Sequence, residues 1–561
     1  MSKMSKLILT RRFNHTTSYS KDLAQIEAFF NKKRFKNVKR PYKSIDVLKH
    51  RGSINYLQEN ATPVSSLISR KLFNLLETHF KERKPLHTLG VLDPVQMSQL
   101  ARCENIKVAY VSGWACSANA NDNVSPDFGD YPYDTVPNQV GRIFNAQLMH
   151  DKKLHLQNFN SGRNNNSDKI DYLKPIIADA DMGHGGITTV MKLAKLFAEK
   201  GASAIHLEDQ LVGSKKCGHL GGTVVVPTST HLQRIIATRF QWDLMGAENL
   251  VIARTDSCNS NLISSDIDAR DHKFIKGIAV ENNDIRPVSE VLLEEELKQE
   301  KYGHSTSSDS LNSIEQEWYK ENKLLTFDEY MIQTLTDSEY TNLIKERSEL
   351  LKKLGRRYLS ISEMKQLANK ISPRKNLTFN WYYPRTKEGH FMFNGCLEAA
   401  IERSLLFSYY SDLIWLETKT PNLLQAKNFA MTIHEKNPNI KFVYNLSPSF
   451  NWEAQGFNQE TLKSFIWDLA KHGFVLQLVS LAGLHANGLG TWKLAKEFQY
   501  DGMKAYVNNI QNVERQTNSD MLTHQKWSGI DYIESISNVI QNGQSSMTSS
   551  TSGSGFTEKH F

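Results

Sequence analysis

The feature that most constrains the fold of this chain is a strand-then-helix rhythm that recurs along its length. Eight short β-rich apolar runs are each followed by a loop, and helical patterns lie between them. Apolar runs of this kind are typical of strands buried on both faces, as in a parallel sheet covered by helices. The predicted strands are His87–Leu92, Val108–Gly113, Pro175–Asp181, Ala204–Glu208, Leu250–Thr255, Leu413–Glu417, Phe442–Leu446 and Phe474–Ser480.

Eight such units predict an α/β fold, a (β/α)8 barrel of the TIM type. The alternative, an open doubly wound sheet, would want a GxGxxG turn after its first strand, and the sequence has none there. The chain between the fifth and sixth strands is long, charge-rich and helical in pattern. We expect residues 282–375 to be an inserted helical subdomain with solvated charged faces, flanked by barrel residues 26–281 and 376–561.

Composition excludes several classes of protein. The hydrophobic fraction of 40% is ordinary for a globular chain and too high for a mostly disordered one. No apolar run approaches the ~20 residues that a membrane span requires, so we expect no membrane association. The five cysteines lie far apart, which disfavours a disulfide framework or a Cys-rich zinc site and fits a reducing compartment.

The formal net charge of +8 is concentrated at the N-terminus, where residues 1–21 carry five basic residues and no acidic one. This Ser/Thr-rich segment, with Leu7–Leu9 as its apolar side, is typical of a mitochondrial transit peptide. We therefore predict a transit peptide over residues 1–25 and a location in the mitochondrial matrix; a disordered basic tail is the alternative. No basic stripe interleaved with aromatic residues occurs elsewhere, so nucleic acid is not an expected partner.

Polar or charged residues end most of the predicted strands. The carboxyl ends of barrel strands are where such a fold assembles an active site from separate units. Any one of these residues could be a loop cap, but their recurrence indicates a common site. They are Ser112, Gly113 and Trp114, then Asp179 and Asp181, Glu208 and Asp209, Arg254 to Asp256, Glu417, Asn445 and Ser480.

A first group of these residues has the chemistry of a metal site. Asp179 and Asp181 alternate out of a buried strand, so their side chains leave on the same face. Glu208 and Asp127 could join them from neighbouring units. Several carboxylates at one barrel mouth require a cation, and sparse oxygen ligands suit Mg2+, with Mn2+ as the alternative ion. Taken alone, an Asp-x-Asp pair could also be a loop cap.

A second group is the segment SKKCGHLGG at residues 214–222. Cys217 is flanked by Lys215, Lys216 and His219, whose positive field favours the thiolate. Such a cysteine can act as a nucleophile or as an acid/base. The surrounding glycines are typical of a loop that closes over substrate. The alternative is a surface turn with an incidental cysteine.

A third group offers donors to carboxylates. Asn445, Ser447 and Ser449 alternate along the chain and present hydrogen-bonding groups to one side. Arg254 can donate two parallel hydrogen bonds to a second carboxylate. Read without the rest of the barrel, Ser447–Ser449 would be a turn.

The segment KKCGHL closely resembles the active-site hexapeptide of the isocitrate lyase family. Other family motifs also occur, in the expected order, over about residues 50 to 561. They are YVSGW, PIIADAD, HLEDQ, VIARTD, IWLETKTP, YNLSPSFNW and LAGLH. The resemblance implies a barrel whose C-terminal helices are exchanged between subunits of a homotetramer. It also implies cleavage of a carbon–carbon bond in a 2-hydroxy tricarboxylate, in the retro-aldol sense, giving succinate and a 2-oxo acid.

The resemblance further implies roles for single residues. Cys217 would protonate the succinate carbanion, with His219 beside it in the catalytic group, and Glu417 would contact substrate. The base that takes the hydroxyl proton stays open between Tyr110 and a metal-bound carboxylate, and the Ser/Thr/Gly-rich tail would be a lid. The metal site would comprise Asp179, Asp127, Asp181 and Glu208; Ser112, Gly113, Trp114 and Arg254 would hold the 2-oxo acid portion, and Asn445, Ser447, Ser449, Gly218 and His219 the succinate portion.

Departures from the family pattern predict the substrate. Leu478 and Ser480 stand where isocitrate lyases usually carry Phe and Thr, and with Trp415 they would surround the carbon that bears a methyl group in 2-methylisocitrate. Both changes add room, and a buried methyl is worth ~1 kcal/mol. The metal motif also departs, with Asp181 where Glu is common, and resembles methylisocitrate lyases more closely. We therefore expect cleavage of 2-methylisocitrate in propionate breakdown. An isocitrate lyase and a non-catalytic paralogue are the alternatives.

Overall fold

The structure of the chain is a computed structural model. It describes residues 17–50, 57, 64–160, 170–218, 220–280, 285–301, 308–373, 375, 377–541 and 556–561. Residues 1–16 of the predicted transit peptide, most of the Ser/Thr/Gly-rich tail and His219 lie outside the described residues.

Eight parallel strands close into a barrel, and each one hydrogen-bonds its neighbour in sequence order, with the eighth closing onto the first. The prediction of a TIM-type barrel is confirmed, and every predicted strand contains or overlaps an observed one. The barrel strands are β1 Leu86–Gly90, β2 Val108–Val111, β3 Ile176–Asp179, β4 Ala204–Glu208, β5 Leu250–Thr255, β6 Leu413–Leu416, β7 Lys441–Asn445 and β8 Leu476–Val479.

Apolar side chains fill the barrel interior. One buried cluster draws at least one residue from every barrel strand, including Tyr110, Trp415 and Leu478. A second and larger cluster lies between the strands and the surrounding helices. The strands are thus buried on both faces, which is why they read as continuous apolar runs in the sequence.

Local sequence patterns explain which face of a barrel helix is buried and where the helix ends. The helix Ile187–Lys200 buries Val190, Leu193, Ala194 and Phe197, a spacing that places all four on one face. It ends at Gly201, whose φ of 101° is left-handed and where a Cβ would approach the Phe144 ring to 2.2 Å. The other helices up to β6 and outside residues 282–375 are Thr17–Phe30, Ser44–His50, Val64–Glu82, Pro94–Ala101, Gly113–Asn119, Thr135–Asn160, Thr228–Met245 and Leu397–Phe407.

The helices after β6 complete the barrel and then leave it. Two of them, Leu423–His434 and Gln459–Lys471, lie between barrel strands. The remainder follow β8 and are Ala482–Asp501, Met503–Tyr506, Asn512–Gln516, His524–Ser528 and Ile530–Gln541, with a π-helical segment at Val507–Gln511. None of the helices in the described part of the chain is long and apolar enough to cross a membrane.

The chain between β5 and β6 carries its own hydrophobic cluster. Three of its helices begin with capping boxes, in which Thr326, Thr336 and Ser360 each pair with a glutamate three residues on. The sequence did not predict the two small three-stranded sheets seen here. One joins Phe379–Asn380, Lys276–Ala279 and Leu325–Thr326, and the other joins Phe391–Met392, Leu262–Ile263 and Val224–Val225. The helices are Val288–Lys301, Ser308–Glu321, Phe327–Thr334, Asp337–Leu354 and Ile361–Ile371.

A buried ion cluster ties the N-terminal segment to the base of the barrel. Asp412, just before β6, accepts hydrogen bonds from Arg34 Nη2 at 3.1 Å, Arg239 Nη2 at 2.5 Å and the Val251 amide at 2.8 Å. Arg34 also donates to the carbonyl of Asn249 at 2.7 Å. Burial alone would raise the pKa of Asp412, but Arg34 and Arg239 outweigh it and lower the pKa to about 2.

Replacing Asp412→Asn should destabilise the fold by ~3–5 kcal/mol, because two buried guanidinium groups lose their counter-charge. The measurement is the urea midpoint of unfolding at neutral pH. The control is Glu398→Gln, which breaks the ion pair with Lys273 at 2.5 Å on an exposed surface and should cost less than ~1 kcal/mol. Equal effects of the two substitutions would contradict the role given to Asp412.

The same pair of proteins should show a defined pH dependence. A carboxyl whose pKa is lowered on folding stabilises the fold above its unfolded pKa, ~3.9 for Asp, and loses that stabilisation as the pH falls through its folded pKa of about 2. The stability difference between the native chain and Asp412→Asn should therefore be constant from neutral pH to ~5 and shrink below ~4.

Candidate active site

A cavity of about 300 Å3 opens at the carboxyl ends of the barrel strands. Residues at or just after the ends of β2 to β8 line it, so it draws on nearly every unit of the barrel. Tyr110, Lys215, Trp415 and His485 also contribute to its wall. The predicted site residues that line it are Ser112, Trp114, Asp127, Asp179, Cys217, Gly218, Arg254, Glu417, Asn445, Ser447, Ser449 and Ser480.

The other predicted site residues are not part of the cavity lining. Gly113, Asp181 and Glu208 are buried at the strand ends next to the cavity rather than in its lining. His219 lies outside the described residues.

Asp179 is held in one orientation at the end of β3. Its carboxylate accepts hydrogen bonds from the amides of Gly113 and Asp181, each at 3.0 Å, and from the Tyr110 hydroxyl at 3.2 Å. A Cβ at residue 113 would lie 2.6 Å from Tyr131 Oη and 3.0 Å from Asp179, so this close approach requires glycine. Burial, followed by the charge of Asp181, raises the pKa of Asp179.

Asp181 has protein partners of its own. Its backbone φ is 46°, a left-handed value that is uncommon outside glycine. The carboxylate accepts a hydrogen bond from Tyr131 Oη and lies 2.6 Å from Lys215 Nζ and 3.3 Å from His184 Nε2. Burial would raise the pKa of Asp181, but Lys215 and His184 lower it well below the usual range.

Lys215 is a site residue whose position the sequence did not reveal. It stood out as a positive neighbour of Cys217, whereas the structure buries it among carboxylates, with Nζ bridging Asp181 and Asp127. Burial would lower the pKa of Lys215, but Asp181 and Glu208 raise it well above its usual value. The sequence signal that could have placed Lys215 was the excess of negative charge among the predicted site residues. Four clustered carboxylates need a buried cation close by.

Arg254, at the end of β5, is already aligned by acidic neighbours. Its Nε and Nη2 atoms contact the two oxygens of Asp256 at 3.0 and 2.9 Å, and Nε lies 3.3 Å from Glu208 Oε2. The guanidinium stacks over the Trp415 ring at 5.3 Å. A ligand carboxylate would therefore meet a guanidinium that has little freedom left to lose.

Gly218 brings the loop after β4 down onto the strand ends. A Cβ at this position would lie 2.8 Å from the Glu417 side chain and 3.0 Å from both Arg254 and Asp256. Glycine is needed because the backbone approaches these side chains so closely. The contact places the neighbouring Cys217 at the cavity wall.

Donors and acceptors on β6 and β7 complete the opposite wall. Glu417 accepts from Trp415 Nε1 at 2.8 Å and from Asn445 Nδ2 at 3.3 Å. The Oδ1 atom of Asn445 is buried without a hydrogen-bond partner among the described residues. The Ser449 amide donates to Ser447 Oγ at 3.1 Å, so the two serines form a compact turn facing the cavity.

The prediction that Leu478 forms the cavity wall is wrong. Leu478 lies on β8, is fully buried in the barrel interior in the same cluster as Trp415, and is absent from the cavity lining. Leu478 lies within β8, inside the barrel, whereas Ser480 follows beyond the end of β8, where the chain reaches the cavity. Ser480 and Trp415 line the cavity, as the sequence predicted.

The carboxylates fit a divalent cation by their chemistry. No group of three His, Cys, Asp or Glu side chains within the described ranges has the arrangement of a metal site. The Oε1 atom of Glu208 is nevertheless buried without a hydrogen-bond partner in the described part of the chain, and burial raises the pKa of Glu208 well above its usual value. Oxygen donors with unmet charge of this kind suit Mg2+ or Mn2+.

The chain matches known proteins over nearly its whole length. It is 59% identical to a mitochondrial 2-methylisocitrate lyase of Saccharomyces cerevisiae, over 99% of this chain and 95% of the relative. It is 47% identical to the mitochondrial 2-methylisocitrate lyase of Hypocrea atroviridis, over 97% and 94%. An isocitrate lyase of Saccharomyces cerevisiae is 39% identical, over 96% and 95%. The isocitrate lyase family model matches residues 22–561, and the chain belongs to the isocitrate lyase family, as its motifs predicted.

Proposed function

We propose that this protein is a carbon–carbon lyase that cleaves (2S,3R)-2-methylisocitrate to succinate and pyruvate in the methylcitrate cycle of propionate catabolism. The observation that carries the proposal is the identity of 59% and 47% to two 2-methylisocitrate lyases, against 39% to an isocitrate lyase of comparable coverage. Ser480 on the cavity wall supports it, because a serine leaves more room than a threonine. Cleavage of isocitrate to succinate and glyoxylate is the alternative.

The cavity can hold the two halves of a tricarboxylate on opposite sides. Arg254, with Ser112 and Trp114, would take the portion that leaves as the 2-oxo acid. The turn formed by Ser447 and Ser449, with Asn445, would take the succinate portion through several donors at once. The reacting bond would then lie between Asp179 and Cys217, and Cys217 would protonate the succinate carbanion.

The proton on the substrate hydroxyl must be taken by a base in the cavity. Tyr110 is unsuited, because burial and the charge of Asp179 raise the pKa of Tyr110 well above its usual value and keep the phenol protonated. A carboxylate that lines the cavity, such as Asp179, is the other candidate for this step. Tyr110 would act as a donor that orients Asp179.

A divalent cation, Mg2+ or Mn2+, would be held by Asp179 with Asp127, Asp181 and Glu208, largely through water. When bound, it would supply Lewis acidity toward the substrate hydroxyl and adjacent carboxylate. The chain's own part is to fix these carboxylates: Lys215 pairs with Asp127 and Asp181, and the Gly113 amide donates to Asp179.

Location and assembly complete the proposal. The mitochondrial relatives support a location in the mitochondrial matrix. A homotetramer with exchanged C-terminal helices is supported by the helix Ala482–Asp501, which has no buried residue among those described. It exposes Leu489, Trp492 and Phe498 by 54%, 62% and 46%, an apolar surface that a partner subunit would cover.

Parallel measurement of kcat/KM for the two substrates tests the proposed reaction. We expect 2-methylisocitrate to be favoured by ~10–200-fold, the range that one methyl group gives in an apolar pocket. Ser480→Thr should lower kcat/KM for 2-methylisocitrate and spare isocitrate, because Ser480 lines the cavity. Leu478→Phe should instead lower both activities and the thermal midpoint, since it overpacks the buried interior. Equal or better cleavage of isocitrate by the native chain would overturn the substrate assignment.

Cys217→Ser should abolish turnover of either substrate, because a serine hydroxyl is too weak an acid to replace the thiol. The thermal midpoint should be unchanged. Cys103→Ser, at an exposed cysteine outside the cavity, is the control and should keep full activity. Near-normal turnover of Cys217→Ser would remove Cys217 from the mechanism.

Gly218→Ala should lower kcat/KM by ~100-fold, since its Cβ would displace the loop from Glu417, Arg254 and Asp256. Gly221→Ala in the same loop is the matched control, because a Cβ there meets nothing within 4 Å. Stopped-flow comparison of the two variants measures the effect. A loss shared equally by both would indicate general loop stiffening and contradict the specific contact.

A further inference from the structure

A second cavity, of about 400 Å3, lies away from the barrel mouth and shares no lining residue with the active-site cavity. Three parts of the chain meet there. They are the segment Arg270–Phe274 after β5, the turn Arg356–Tyr358 between two helices of the insert, and the barrel helix Leu397–Phe407. The cavity therefore sits where the insert joins the barrel.

Cationic side chains predominate in the lining of this cavity, and several of them also pair with carboxylates, including Arg270 with Asp268 at 2.7 Å and Lys273 with Glu398 at 2.5 Å. Among its described lining residues, six are cationic and two, Asp271 and Glu402, are acidic. Both acids are already satisfied. Asp271 accepts from Thr228 and Arg403, and Glu402 pairs with Arg357 at 2.7 Å. The six cationic residues are Arg270, Lys273, Arg356, Arg357, Arg403 and Lys436.

Two of these cations hold donors that lack an acceptor. The Nε atoms of Arg403 and Arg356 are buried without a hydrogen-bond partner among the described residues. Arg403 itself is 2% exposed, so this orphaned donor is inside the protein. A buried unpaired donor is costly, and a ligand anion would satisfy it.

Apolar and aromatic side chains also line the cavity. They are Phe274, Leu405, Tyr358 and Tyr409. A bare inorganic anion would leave these side chains without a ligand contact. Guanidinium groups recognise phosphate through paired hydrogen bonds, and an aromatic wall suits a planar ring. The lining thus matches a ligand with a phosphate at one end and a flat, weakly polar body at the other.

We propose that this cavity binds an organic phosphate of the nucleotide class, and that Arg403 links its occupancy to the active site. The link is a continuous path of buried polar contacts. Arg403 Nη1 contacts Asp209 Oδ2 at 2.8 Å, and Asp209 Oδ1 accepts the Asp256 amide at 2.8 Å. Asp256 in turn holds Arg254 at 2.9 Å, so a phosphate drawn to Arg403 would act on the residues that align Arg254.

Calorimetric titration of the Mg2+-loaded protein with ADP tests the binding site, with free Mg2+ kept in constant excess. We expect saturable binding of one ADP per chain, tighter than that of inorganic phosphate. Arg357→Ala combined with Lys436→Ala should weaken ADP binding at least tenfold. Lys436→Glu alone, at an exposed position, should weaken it as well. The matched control combines Arg286→Ala and Lys298→Ala, two exposed cations of the insert outside this cavity, and should bind ADP normally.

Several outcomes would overturn the assignment. They are the absence of ADP binding, binding unaffected by both cavity variants, and equal affinity for ADP and inorganic phosphate. The link is tested separately, and it rests on the proposed function: saturating ADP should change KM for 2-methylisocitrate in the native chain and not in Arg357→Ala/Lys436→Ala. An unchanged KM would reject the link. The binding measurement needs no turnover, so it stands even if the proposed reaction fails.

Discussion

Buried negative charge at the mouth of the barrel is the constraint on which the rest of the active site depends. Six carboxylates gather there, and five of them pair with Lys215 or Arg254; the six are Asp127, Asp179, Asp181, Glu208, Asp256 and Glu417. Uncompensated charge is expensive in a low-dielectric interior, and directed donors such as the Gly113 amide on Asp179 fix several of these carboxylates. The site is therefore rigid, and its negative charge is not fully neutralised by the protein. Both properties favour the binding of a cation and of a polar substrate.

The end of β4 connects the two cavities through two adjacent residues. Successive side chains on a strand point to opposite faces, so Glu208 points toward Arg254 and Asp209 toward Arg403. Asp209 also accepts from Thr255 at 2.7 Å, which fixes the end of β5. One strand end thereby serves both the barrel mouth and the junction with the insert, and neither can shift without the other.

The sequence predicted what local patterns encode and missed what distant contacts create. Each barrel strand is a buried apolar run, so all eight could be found, and the polar residues after them indicated the cavity. The place of Lys215 depends on Asp127, 88 residues away, and no local pattern contains that distance. Leu478 was misplaced because it lies within β8 in the barrel interior, a depth that the sequence does not specify. The short strands of the insert were missed because two-residue segments carry too little pattern.

The ion cluster at the base of the barrel limits how much of the N-terminal segment can be removed without loss of stability. Arg34 lies only nine residues beyond the predicted transit peptide, yet it supplies one of the two guanidinium groups on Asp412. Ile26 and Phe29, between them, are 1% and 2% exposed and are part of the core. Truncation that reaches Ile26 would therefore remove core residues. Truncation beyond Arg34 would also leave Asp412 with only one of its two guanidinium partners and destabilise the fold further.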